Sequence, residues 1–358
     1  MNEISQMIKD TAEKIMKDMC TKETINDAEK GVWAKDLWET LKETGMLTIG
    51  VSEESGGNGG SYSDALSVLR AAGKYSAPVP LAETFLANWI LLDTHLPITE
   101  EAATVAPVNE GDCITFTKVK NGWALSGKAN NVPWARDAKS IVVIGNTEHG
   151  KAVAIVDVST CNIIHGQSLA GEPRDHVSFE DVYVTDSAVS LTVEGKIANI
   201  LYTGALIRAV QMSGALERIL EQTIAYSQER EQFGRPIARF QAVQQQIAIL
   251  AGEVAAAKTI SDLAINAFKA DDANTKITAA KIRVGEAVSK GVPIAHQVHG
   301  AIGFTDEHTL QHSTRRLWSW RDEFGNESYW ANLLGTEVIN KGADQLWPFI
   351  TSMTGKVV

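Results

Sequence analysis

The side chains best suited to hold a polar ligand lie in REQFGRPIARFQAVQ, residues 230 to 244. Arg230 can make forked hydrogen bonds to a phosphate, and the amides of Gln232 and Gln241 can read the polar edge of a ring. Gly234 and Pro236 break helical continuity between them. A solvated elbow between two bundle helices has the same spacing, and from spacing alone it is the simpler reading. A second run, HQVHGAIGFTDEH at 296 to 308, is rich in histidine and glycine. His308 and His312 are spaced i, i+4, but no glutamate sits between them as in HExxH and no cysteine cluster assists, so no metal site is expected.

Long helices must position the elbow. Before it, Ala209, Met212, Leu216, Leu220 and Ile224 recur at three- and four-residue spacing, which describes one buried stripe. After it, Val243, Ile247, Leu250, Val254, Leu263 and Ala267 do the same. The chain falls into three regions. Residues 1 to 105 read as helical, with GGNGG at 56 to 60 as a flexible connector. No Gly-Lys-Ser/Thr follows that cluster, so it is not a phosphate-binding P-loop. Residues 106 to 192 alternate β-branched runs with turn residues, among them Asn121-Gly122 as a hairpin signal, and read as a small β-barrel or sandwich. Residues 193 to 358 return to the helical period, as a bundle of about four helices. The fold class is therefore α+β.

The 33 lysines and arginines against 44 aspartates and glutamates give a net charge of −11, which argues against nucleic acid or an anionic membrane surface as partner. Cys20, Cys113 and Cys161 are odd in number and widely spaced, which suits a reducing cytoplasm. No apolar run is long enough to cross a bilayer, and the first helix has no signal-peptide core. Arg136 and Asp137 read as a surface ion pair. Trp318 and Trp320 with Arg315, Arg316 and Arg321 read equally as an adenine-stacking surface or as a packed helix.

Together, the elbow and the second glycine run resemble the signature turn and the Gln-x-x-Gly-Gly-x-Gly segment of the acyl-CoA dehydrogenase family, and the likeness covers nearly the whole chain. It implies FAD as cofactor, an acyl-CoA thioester as substrate, α,β-desaturation in lipid metabolism, and an electron-transfer flavoprotein as acceptor. It also implies an oligomer, homo- or heteromeric and a dimer of dimers, in which the flavin sits between the β-domain and the bundle and a neighbouring subunit completes its site. The flavin contacts implied are Arg230, Gln232, Phe233, Phe240, Gln241, Gln297, Gly300, Ala301 and Gly303, with Ala301 in place of the usual second glycine.

The desaturation needs a carboxylate base in an apolar pocket. Both positions that the family uses for it depart here. One falls on Phe324, with Glu323 one residue early; the other falls on Gly204. Glu323 is the local candidate for the base. The family arginine that grips CoA aligns with Ala205, one turn from Arg208. Within the β-domain, the flavin-contacting Trp-x-Thr/Ser aligns with Asn131, Val132 and Pro133, leaving Trp134 as a partial substitute. The contacts made within one subunit are thus degraded, while those reaching a neighbour's flavin are kept. RRLWSWRDEFG (315–325) and YSAPVPLAET (75–84) resemble the small paired subunits of heteromeric acyl-CoA dehydrogenases. Two readings follow: a dehydrogenase in its own right, or a silent partner subunit that completes a paralogue's flavin site. Another flavin chemistry on the same fold, oxidase or monooxygenase, is the third.

Overall fold

A computed structural model describes residues 3–109, 111–191 and 198–353. The chain divides into two compact units, Met1–Leu69 with Ala77–Thr203 and Arg70–Ser76 with Gly204–Val358. The domain boundary expected at 192/193 lies outside the described residues.

The first unit begins with α1 (Glu3–Met19), α2 (Lys22–Glu29), α3 (Lys35–Glu43), most of α4 (Tyr62–Lys74) and α5 (Leu81–Asp93). Helix α5 is buried all round from Leu81 to Leu91, so its polar side chains must find partners inside. Thr84 exchanges hydrogen bonds with the backbone of Ala103, and Asn88 with the backbone of Thr99. The glycine cluster at 56 to 60 is tied down rather than a free connector. Val51 and Gly59 form a bridge, and the Asn58 amide donates to the Gly45 carbonyl and to Thr48 Oγ1.

The sheet consists of β1 (Ala103–Ala106), β2 (Cys113–Val119), β3 (Gly122–Pro133), β4 (Ser140–Thr147), β5 (Gly150–Asp157), β6 (Asn162–Ile164), β7 (Arg174–Thr185) and β8 (Val189–Ser190). Its order is β6-β7-β3-β2-β4-β5-β8, with β1 parallel to β4. Ile114 and Phe116 of β2 face a core shared with Leu125, Val143 and Phe179, while Thr115 and Thr117 face out. The β2–β3 hairpin forms as expected, with its turn one residue earlier: Val119 pairs with Gly122, and Asn121 takes the positive φ of +63°.

Arg136 does not pair with Asp137. Its guanidinium and backbone N–H both engage the fully buried Asp175, 39 residues away. That leaves Asp137 partly buried, and burial pushes its pKa up to about 6, against the pull of Arg136 and with the help of the Asp175 charge. A raised carboxyl pKa contributes stability below about pH 4 that is lost as pH rises through about 6. Asp137→Asn should therefore gain on the order of 1 kcal/mol at pH 8, after discounting for solvent, and nothing at pH 4. Denaturant melts at the two pH values check this; an equal shift at both would refute it.

In the second unit, α6 (Ala198–Glu229, of which residues from Gly204 on belong here) leads through β9 (Glu231–Gln232) and β10 (Arg235–Pro236) into α7 (Gln241–Ala267). Then follow α8 (Ala273–His299), α9 (Leu310–Asp322), α10 (Glu327–Lys341) and α11 (Leu346–Met353). Four of these helices have fifteen or more residues. The α6 stripe holds through Leu216 and then rotates. Ile219, Thr223 and Ser227 are buried, and Ile224 is 37% exposed. The Thr223 and Ser227 hydroxyls donate back to carbonyls of their own helix, which makes their burial affordable. The last turn of α4 crosses α6 at backbone contact, because Gly73 and Gly214 lack side chains there.

Candidate functional site

At the elbow, Gln232 pairs with Arg235 across a two-residue hairpin whose turn residues, Phe233 and Gly234, both have positive φ (+53° and +77°). This is the geometry of a primed hairpin turn. Glycine adopts it freely; phenylalanine does so at a cost of about 1 kcal/mol, and here the ring is 93% exposed. A strained, exposed aromatic is poor packing and points to a contact outside the chain. The ring meets Phe240 edge-on at 6.2 Å, and the Arg235 guanidinium lies 4.3 Å over Phe240. Arg230, Gln232 and Gln241 are exposed beside it, and Phe240 is half-buried.

The second segment follows directly at the end of α8. Gln297, Gly300 and Ala301 are exposed, and Gly303 is buried against His296, His299 and Leu310. Gly300 has φ +63° and open space where a side chain would sit, so a ligand could approach its backbone. Tyr226, near the end of α6, stacks on His299 at 4.6 Å, and both meet His308 edge-on. This stack ties the helix that enters the elbow to the end of α8. His299 Nδ1 bonds the Ala295 carbonyl and His296 Nε2 bonds Thr314, while burial lowers both pKa values. Such neutral imidazoles serve packing. Among the described residues, no group of three or more His, Cys, Asp or Glu is placed to hold a metal ion.

The two positions at which the family resemblance puts a base meet each other. A Cβ on Gly204 would lie 2.3 to 2.6 Å from three ring atoms of Phe324, so the phenyl ring rests directly on the α6 backbone. Phe324 and Gly325 both take positive φ (+54° and +85°), and the Phe324 carbonyl accepts from Trp330 Nε1 at 2.9 Å. Glu323 turns the other way. Its carboxylate accepts from Nε and Nη2 of Arg208, both at 2.7 Å, and Arg208 Nη1 donates to Gln211 at 2.6 Å. Arg208 is buried and committed to this network. Of the aromatic-arginine cluster, Trp320 and Arg316 are buried and Arg316 donates to the His312 carbonyl, while Arg321 lies over Trp318. Arg316 and Trp320 thus follow the packed-helix reading, while Arg315, Trp318 and Arg321 stay half-buried.

Sequence reasoning missed Lys281. It is buried on α8, and its Nζ donates to the carbonyls of Arg321 at 2.7 Å and Trp320 at 3.3 Å. The signal was present, since Ile277, Lys281, Val284 and Val288 follow one buried stripe.

In the first unit, the residues aligned with the family's flavin-contacting tryptophan fall on a bulge. The β3–β7 register shifts between Ala129 and Val132, and Asn131 takes φ +55°. Trp134 is 5% exposed in this chain. The donor set for a flavin is therefore uneven. The open backbone of Gly300, the exposed amides and the Arg230 guanidinium fit a dinucleotide. The bulged strand and inward Trp134 do not present the usual ring contacts.

Comparison with known proteins covers most of the chain. Residues 2–94 match the family model described as acyl-CoA dehydrogenase, N-terminal domain, and residues 197–334 match acyl-CoA dehydrogenase, C-terminal domain. The acyl-CoA dehydrogenase IpdE2 of Mycolicibacterium smegmatis is 27% identical over 314 residues, 87% of this chain and 91% of that protein. Among solved structures, the ChsE4-ChsE5 complex from Mycobacterium tuberculosis aligns with a TM-score of 0.87 at 23% identity, over 96% of this chain and 99% of the matched one. Butyryl-CoA dehydrogenase from Megasphaera elsdenii aligns at 0.86 with 18% identity, over 95% and 99%. At those identities the structural likeness speaks for the fold alone.

Proposed function

Because this chain belongs to the acyl-CoA dehydrogenase family, we propose that it is the supporting subunit of a heteromeric flavoenzyme that desaturates an acyl-CoA thioester. It lends flavin contacts to a paralogue that carries the base. The observation that carries this is the Phe324 ring seated on Gly204, which leaves neither family position free for a carboxylate. Glu323 acts as the counter-ion of Arg208. A carboxylate held by a forked guanidinium is stabilised in its charged form, whereas an α-proton base needs desolvation to raise its proton affinity.

The cofactor of this reading is FAD, which when bound supplies the hydride acceptor for the desaturation. Arg230 would hold its phosphates by charge-assisted hydrogen bonds, Gln232, Gln241 and Gln297 its polar edges, and Phe233 and Phe240 a ring face. Gly300, Ala301 and Gly303 would let the backbone come close. The occurrence of a two-component complex among structures of this fold is consistent with pairing.

The test is the visible spectrum of the chain purified alone and co-purified with a paralogue bearing a carboxylate at the position of Gly204 or Phe324. Each sample is then titrated anaerobically with a panel of acyl-CoAs. We expect a colourless single chain, and a yellow pair that one thioester class bleaches. A single chain that is yellow and turns over would sink the partner reading and restore Glu323 as the base.

A further inference from the structure

Lys281 is 1% exposed, four residues after Ile277 and three before Val284 on the buried stripe of α8. Its amine donates to the carbonyls of Trp320 and Arg321, which belong to the last turn of α9. Carbonyls at a helix C-terminus have no intrahelical partner, so a buried helix end needs a donor from elsewhere. Immediately beyond them the chain enters Glu323 and the two left-handed residues Phe324 and Gly325. The far side of this turn is also anchored. Trp330 holds the Phe324 carbonyl, the Asn326 side chain caps α10, and Arg321 pairs with Glu327. Gly285, one turn past Lys281, makes room for that glutamate: a Cβ there would lie 2.9 Å from Glu327 Oε2.

We infer that Lys281 is a positioning residue that pins the end of α9 and so locks the Phe324–Gly325 turn down onto Gly204. That this turn fills the place of a base rests on the partner-subunit reading, whereas the lock is a property of the single chain. The charged groups around Lys281 are Arg208 on α6, Arg321 and Asp322 at the end of α9, Glu323 in the turn, and Glu327 at the start of α10. Burial brings the pKa of Lys281 down to about 7, only partly offset by Glu323. A neutral amine keeps two N–H groups, enough for the two carbonyls, while a protonated one adds a buried charge.

The sign follows from proton linkage. Opening the turn to solvent returns Lys281 towards the ordinary lysine value of 10.5, so the open state binds more protons between about pH 7 and that value. The open population therefore falls as pH rises through this window, by up to about tenfold per pH unit.

Hydrogen exchange at the amides of residues 323–326 in the full chain, corrected for the intrinsic rate at each pH from 6.5 to 9, tests this. In the wild type, protection of the turn should rise with pH. In Lys281→Met, which keeps the length of the stem and removes the donors, protection should drop at least about tenfold and lose its pH dependence. Amides in the middle of α7 should keep theirs. Unchanged turn protection in Lys281→Met, or a pH dependence that survives the substitution, would overturn the inference. Should that variant fail to fold, the wild type alone decides, because a flat profile between pH 7 and 9 excludes the lock. Exchange as expected in a chain that is yellow and active by itself would remove the partner-subunit reading and leave the lock standing.

Discussion

Gly214→Ala should cost the second unit about 3 kcal/mol, at the upper end of overpacking penalties. A Cβ at 214 would lie 2.1 Å from the Arg70 carbonyl oxygen and 2.9 Å from the Lys74 backbone nitrogen. Neither is a flexible side chain, so relief requires the end of α4 and α6 to separate. That separation disturbs what the crossing holds together, including the Arg70–Asp262 and Lys74–Glu221 ion pairs. The added methyl brings a helix-propensity gain of only about 1 kcal/mol, which cannot offset such a clash. Gly252→Ala is the control. Gly252 also lies in a helix, but nothing stands within 4 Å of where its Cβ would be. It should gain up to about 1 kcal/mol from propensity alone. Urea melts of both variants measure the contrast, and equal midpoints would mean that the α4–α6 crossing is looser than described.

Arg230→Ala, introduced into the chain and purified with its paralogue, should weaken flavin binding by roughly tenfold to a hundredfold, the worth of one or two charge-assisted hydrogen bonds. Arg230 is exposed, so the stability of the chain itself should hardly move. This separation of effects makes the variant informative. Flavin fluorescence during equilibrium dialysis of the paired protein reads the affinity, and a melt of the single chain reads the fold. If flavin affinity is unchanged while the pair still assembles, the elbow serves packing between subunits and the proposed cofactor contacts are wrong.

The sequence by itself determined the order of helical, β and helical segments, because hydrophobic periods of 3.6 and 2 are local properties of a chain. It also determined the elbow: Gly234 and Pro236 interrupt two apolar stripes, and the polar residues between them have no apolar face to bury. The resemblance marked Gly204 and Phe324 as departures from the family and Glu323 as the remaining carboxylate. Local pattern went wrong where the partner is distant in sequence. Ile224 continues the α6 stripe on paper, yet the helix turns Thr223 and Ser227 inward instead. Arg136 has Asp137 beside it and takes Asp175, because it lies in the turn just past the end of β3, where β7 brings Asp175 opposite Val132.

Only the tertiary structure decided that Phe324 rests on Gly204, that Glu323 belongs to Arg208, 115 residues away, and that a lysine is buried under the end of α9. The physical reason is common to all three. Each is a contact between a helix and a distant helix end or turn, set by packing in space, and a one-dimensional pattern records which face of a helix is buried but not what lies against it.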